Sequence, residues 1–210
     1  QLVLTHDAMV EGVHFLPGTD WANVAWKLVA VNLSDLAAKG AEPLGLLLSM
    51  PLLDSAADDA RFASGIEAAC TRFGCPLLGG DTVSAPKGTP RSFALTALGR
   101  ASHAPVPSRS GAKPGDGLWI TGPVGDAGAW LKLREQSSEN ADLFFDSHHR
   151  PEPLLAQGKA LAPVVHAIMD VSDGVLIDTA RLADASDCAV AVALADIPLT
   201  APYRRLIGDD

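Results

Sequence analysis

The chain is short of cysteine, of positive charge and of long apolar runs, and each shortage excludes a class of protein. Its three cysteines, Cys70, Cys75 and Cys188, are odd in number and form no CxxC pair. They build neither a disulfide frame nor a thiolate zinc site, and they read as reduced thiols of a cytoplasmic protein. Sixteen Lys and Arg face 25 Asp and Glu, a net charge of −9 with no basic block. Non-specific nucleic-acid binding needs a positive face, so nucleic acid is not an expected partner. An acidic chain can still hold a polyanion if metal ions stand between them. No apolar run approaches the ~18 residues of a membrane span; the densest, 44–53, is broken by Pro51. Neither a membrane partner nor a signal or transit peptide is expected. The chain opens at Gln1 inside a strand-like run, which reads as a fragment of a longer protein.

What is present is a foldable composition. Of 210 residues 48% are hydrophobic and 20% charged, enough to bury a core in one large domain or two small ones. Strand-like and helix-like segments alternate, without a fixed internal repeat. Strands are expected at 2–5, 44–50, 77–78 and 93–98, with a short extended piece near 13–16. The run at 44–50 is apolar without alternation, which predicts a strand covered on both faces. A first helix is expected from Asp20 or Trp21 to Lys39, capped by Thr19 or Asp20 and stopped by Gly40; a second is capped by Ser55 and ended by Gly74. The Pro- and Ser-rich stretch 101–114 predicts a domain boundary, dividing an N-terminal mixed α/β domain (1–106) from a partial C-terminal α/β domain (107–210). There the alternation repeats. Strands are expected at 118–121, 167–171 and 189–193, helices at 126–134, 154–165 and from 172 to about 185, and an exposed loop at 135–153.

The chemistry-bearing feature is a set of aspartates at the ends of apolar runs beside glycine: Asp7, Asp35, Asp81, Asp170 and Asp173. Any one Asp-Gly pair is ordinary turn chemistry. Five together suit a site that holds hard cations against phosphate oxygens. No nucleophile or general base stands beside them. Asn32, Asp35 and Lys39 share one helix face. Gly79-Gly80 would let backbone amides approach an anion, although a strand-ending turn is the simpler reading. The stretch Gly111-Ala112-Lys113-Pro114-Gly115-Asp116 lacks the Walker spacing and reads as a turn. His148 and His149 are adjacent on a loop and lack a matched metal partner. His14, between Val13 and Phe15, reads as a hydrogen-bonded histidine on a half-buried strand.

Several of these strings, in this order, closely resemble the thiamine-monophosphate kinase family: Asp7-Ala8-Met9-Val10-Glu11-Gly12-Val13-His14-Phe15, Asn32-Leu33-Ser34-Asp35, Gly79-Gly80-Asp81-Thr82, Arg109 to Asp116, and Asp170-Val171-Ser172-Asp173-Gly174. The wider superfamily includes aminoimidazole ribonucleotide synthetase, selenophosphate synthetase and a hydrogenase maturation protein. The resemblance implies a two-domain α/β architecture of mixed sheets with an incomplete second domain, a homodimer, and Mg2+-dependent transfer of the ATP γ-phosphoryl group onto thiamine monophosphate. By position it implies Asp7, Asp35, Asp81, Asp170 and Asp173 as metal ligands, Gly80, Asp81, Arg109 and Ser172 as ATP contacts, and His14 near the thiamine phosphate. An ATP-dependent synthetase of the superfamily and a non-catalytic nucleotide-binding or dimerisation module are the alternatives. Where the family often has Ser-Thr-Asp-Thr this chain has Thr5-His6-Asp7-Ala8, so no hydroxyl contact is carried over to His6 or Ala8. Lys39 stands where many members have Met. The family's leading Gly-Asp-Asp segment and its last third have no counterpart here.

Overall fold

The computed structural model describes residues 1–86 and 88–208. Its N-terminal half is a four-stranded mixed sheet with two long helices on one face. Strands β1 (Leu2–Val10), β2 (Ala41–Pro51), β3 (Leu77–Val83) and β4 (Ser92–Ala101) run in the order β1-β4-β2-β3. β4 pairs antiparallel with β1 and β2, whereas β2 and β3 are parallel. Parallel neighbours require a long crossover, and helix α2 (Ala56–Phe73) supplies it.

Local chemistry sets the helix ends. Asp20 caps α1 (Trp21–Ala37), accepting from Ala22 N at 2.8 Å, and its two oxygens also take a forked pair from Arg61 of α2 at 2.9–3.1 Å. Ser55 caps α2, and Gly74 closes it in the left-handed region at φ 63°, a conformation that costs glycine least. The helices meet tightly, because a Cβ on Gly65 would lie 2.3 Å from the Ala22 carbonyl oxygen. Leu28, Leu33, Leu36, Phe62 and Phe93 are fully buried between helices and sheet, with the Phe62 and Phe93 rings stacked at 4.6 Å.

The other sheet face is open. Leu4 and Leu47 are 63% and 44% exposed, so β2 is covered on one face only, against expectation. Its apolar run reflects a core-facing row (Leu46, Leu48) and an uncovered row that is also apolar.

The C-terminal half carries α3 (Asp126–Glu135), α4 (Phe145–His149), α5 (Leu155–Leu161), α6 (Val175–Ala185) and α7 (Ala201–Ile207). α5 docks on α1 where a Cβ on Gly158 would meet the Ala37 carbonyl at 1.9 Å. Expectation fails in two places here. The segment 135–153 is no exposed loop: it contains a 3-10 turn (Glu139–Phe144) and α4, because Phe144 and Ala141 bury against Trp130 and Leu133 of α3. The segments 118–121, 167–171 and 189–193, expected as strands, form no ladder. Their apolar residues favour extended backbone, yet a strand also needs a hydrogen-bonding neighbour. Ile168 N instead bonds Ser108 O at 2.8 Å, and all three segments line one open cavity of about 1260 Å3. Among the described residues no helix is long and apolar enough to cross a membrane.

Candidate active site

Three of the aspartates converge where the two halves meet. Asp7 lies on the helix-facing side of β1, with Val3, Thr5 and Met9. Its backbone N–H donates to Asn32 Oδ1 at 3.0 Å, and the fully buried Asn32 gives its own amide to Leu28 O at 2.9 Å. Thr5 Oγ1 donates to the Asp35 carboxylate one helical turn further on. Asn32 thus locks β1 to α1 and sets the spacing of Asp7 and Asp35. Sequence reasoning placed it on the right helix face without assigning this role.

The electrostatics show that the carboxylates sense one another. Burial, and then the Asp35 charge, raise the Asp7 pKa, while the His6 and His14 rings oppose the shift. Burial raises Asp170 as well, followed by Asp35, Asp178 and Asp7. Lys39 is half-buried beside them. Burial and the Arg109 charge lower its pKa, against the pull of Asp35 and Asp170. Half-buried, mutually repelling oxygen anions are a donor set that hard divalent cations neutralise. Among the described residues no three Asp, Glu, His or Cys side chains gather closely enough to hold an ion unaided.

Asp173 sits three residues past Asp170, paired with Arg181 of α6. The loop carrying it is organised by a residue that sequence reasoning missed. Asp178, 1% exposed, accepts from the backbone N–H of Ser172 (2.9 Å), Asp173 (2.9 Å) and Gly174 (3.2 Å). The available signal was an aspartate four residues after Gly174, within the first turn of α6. At the far end of α6, Ser186 Oγ accepts from Gly111 N and Ala112 N and donates to Arg109 O, each at 3.2 Å. One helix therefore anchors both the Asp170–Gly174 loop and the Arg109 loop.

Asp81 and Gly80 are placed differently. Gly79-Gly80-Asp81 lies inside β3 rather than in a turn, and neither glycine has a positive φ. Gly80 is needed for close approach, since a Cβ there would fall 1.9 Å from Leu48 O. Asp7, Leu95, Leu48 and Gly80 form one row across the sheet, while Asp81 belongs to the next row with Ser49, Ala94 and Ala8. Asp81 therefore faces the uncovered side, three strand spacings or roughly 14 Å from β1. Within a single chain it does not join Asp7, Asp35 and Asp170.

His14 is exposed in the turn after β1 rather than on a half-buried strand, because Gly12 turns the chain at φ 80°. Its Nδ1 accepts from Val10 N at 3.0 Å, and Lys27 Nζ donates to its carbonyl at 3.0 Å. Burial pulls the Lys27 pKa down to about 8. His148 stacks on Trp130 at 4.1 Å, and its pKa falls to about 4, chiefly through burial. His149 packs edge-on to the same ring. The pair thus packs against α3 from helix α4, not from the loop expected of it.

Residues 1–101 match the family described as AIR synthase related protein, N-terminal domain, and residues 113–205 match its C-terminal domain. The fold and the two domain matches thus define an AIR synthase-related α/β protein. Its structure superposes on thiamine-monophosphate kinase from Stenotrophomonas maltophilia K279a with a TM-score of 0.92 and 34% identity, over 99% of this chain and 68% of that one. It superposes on AaThiL complexed with AMPPCP and TMP with a TM-score of 0.89 and 28% identity, over 100% of this chain and 69% of that one. In sequence it is 38% identical to thiamine-monophosphate kinase of Escherichia coli K12, over 97% of this chain and 63% of that protein. The chain belongs to the thiamine-monophosphate kinase family. It spans somewhat under two thirds of that curated relative's length.

Proposed function

We propose that this chain is part of an ATP-dependent kinase that phosphorylates thiamine monophosphate to thiamine diphosphate with Mg2+. The observation that carries the reading is the meeting of Asp7, Asp35 and Asp170, half-buried and near enough for their charges to act on one another. A phosphate monoester has its second pKa near ~6, so the acceptor is already an anion at neutral pH and needs no base. The difficulty lies in bringing that anion against a triphosphate. Charge neutralisation and in-line positioning are what such a reaction requires. Bound Mg2+ would supply the positive charge that offsets the phosphoryl oxygens.

The chain's own residues divide that work. Asp7, Asp35, Asp81, Asp170 and Asp173 would hold metal. Arg109, with its fixed fork of donors, Gly80 and the Ser172 hydroxyl would take ATP phosphates. His14 would stand at the thiamine phosphate, its loop steadied by Lys27. The kinship with a protein complexed with AMPPCP and TMP supports this substrate pair. The domain division near residue 106 falls in a stretch without helix or strand, and the free thiols support a cytoplasmic setting.

A homodimer completes the reading. The uncovered sheet face, with Leu4 and Leu47 exposed, invites a second copy, and Asp81 lies on that face. Light scattering should give twice the protomer mass at concentrations well above micromolar; a monomer there would remove the dimer. The kinase is tested in the intact protein by coupled ADP release with a panel of acceptors. Thiamine monophosphate should stimulate release far more than an amide or selenide acceptor. Nucleotide binding without turnover would favour the non-catalytic module, and stimulation by another acceptor the synthetase.

A further inference from the structure

We infer that Asp178 is a positioning residue, which fixes the Asp170–Gly174 loop in the shape that presents Asp173 and Ser172 to metal and phosphate. The inference rests on the kinase reading for what the loop binds, but its geometry stands independently. Asp178 is 1% exposed, on the first turn of α6. Its Oδ2 collects three successive backbone N–H groups, from Ser172, Asp173 and Gly174, at 2.9–3.2 Å. Its Oδ1 accepts from Arg181 Nη1 at 2.8 Å. Both oxygens are spent on protein donors, so Asp178 is no ligand.

A buried carboxylate is costly unless hydrogen bonds and an opposite charge offset the loss of water. Here the charge-assisted bonds do so, and in return they fix three consecutive peptide planes. Gly174, the residue entering α6, has φ 121° and no side chain, and Asp178 reaches back from the helix to its N–H and to the two before it. Arg181 extends the clamp. The same Nη1 reaches Asp178 Oδ1 and Asp173 Oδ2, tying the orientation of the Asp173 carboxylate to the buried anchor. Partners that orient ligands without touching the ion are worth about 10–100-fold in metal affinity or activity.

The competing account is a plain helix cap, which affects stability alone. Asp178→Asn separates the two. It keeps the volume, but it offers one neutral oxygen and turns an amide toward Arg181. In the intact protein, amide exchange at Ser172, Asp173 and Gly174 should quicken about tenfold or more. The Mg2+ concentration for half-maximal ADP release should rise about 10–100-fold, with the KM for thiamine monophosphate unchanged. Asp178→Glu keeps the charge on a longer arm and should shift the Mg2+ midpoint in the same direction by less. Unchanged exchange overturns the inference, as does a lower melting temperature with an unchanged Mg2+ midpoint in both variants. A wild type that never turns over thiamine monophosphate overturns the kinase reading instead. Titrating MgCl2 against thermal melting then decides the present point: a weaker response in Asp178→Asn supports it, and coincident curves refute it.

Discussion

Two adjacent glycines give a sharp test of how β3 is held. A methyl placed on Gly80 would sit 1.9 Å from the Leu48 carbonyl oxygen, whereas one on Gly79 finds nothing nearer than Leu47 Cδ2 at 4.0 Å. A carbon needs about 3.3 Å from a carbonyl oxygen, so Gly80→Ala must open the β2–β3 gap by roughly 1.4 Å. Ladder bonds near 2.9 Å would stretch beyond 4 Å and cease to count. β3 is an edge strand with β2 as its one partner, so nothing on its other side compensates. Losing two such bonds, with their groups incompletely re-solvated, costs about 2–4 kcal/mol. For a chain of this size that is a fall in Tm of about 5–15 °C. Gly79→Ala should be neutral or stabilising by about 0.4–1 kcal/mol, since its backbone suits alanine and the unfolded chain loses freedom. Thermal and urea unfolding of the two variants of the intact protein decide the matter. Equal damage from both, or from neither, would refute the close-approach argument and with it the placement of Gly80 and Asp81 inside β3.

Other consequences follow from the same geometry. Because the folded-state pKa of Asp170 is raised above 3.8, its contribution to stability is fully present below pH 3.8 and is lost as pH rises through the raised value. Asp170→Asn should therefore raise the metal-free melting temperature at pH 7 but not at pH 3.5; a loss at pH 7 would contradict the crowding of charge there. Ser186→Ala removes the side-chain oxygen that joins α6 to Gly111, Ala112 and Arg109. It should cost about 1–2 kcal/mol and raise the KM for ATP, and an unchanged KM would detach the Arg109 loop from the nucleotide. The Cys75 thiol, buried and pushed up to about 12, should resist iodoacetamide at pH 8 in the native protein, which mass spectrometry of the labelled peptides would show. Rapid labelling would mean the lower end of α2 is open.

Much of this was legible in the sequence, and the failures have physical causes. The caps of α1 and α2, Asp20 and Ser55, and the stop at Gly74 were readable because they act through local hydrogen bonds and φ alone, whereas α1 ends at Ala37, short of the stop expected at Gly40. The carboxylate cluster was readable as a list of aspartates but not as an arrangement. Register decides that Asp7 faces the helices and Asp81 the open side, and register is a tertiary property. Gly79-Gly80 looked like a turn because glycine signals both turns and close approach, and only the position of Leu48 separates the two. The segments at 118–121, 167–171 and 189–193 have the composition of strands but lack ladder partners. Asp178 was passed over because a lone aspartate in a helix's first turn looks like dipole chemistry until its three backbone donors are seen.

The central claim is transfer of a phosphoryl group onto a phosphate acceptor, and phosphorus NMR of the intact protein's reaction tests it most directly. With ATP, Mg2+ and thiamine monophosphate, the account predicts a new diphosphate signal growing in step with ADP, without inorganic phosphate, and vanishing when Mg2+ is chelated. ADP and inorganic phosphate appearing together with no diphosphate on thiamine would contradict it, and would mark the site as one that activates a different acceptor or merely hydrolyses ATP.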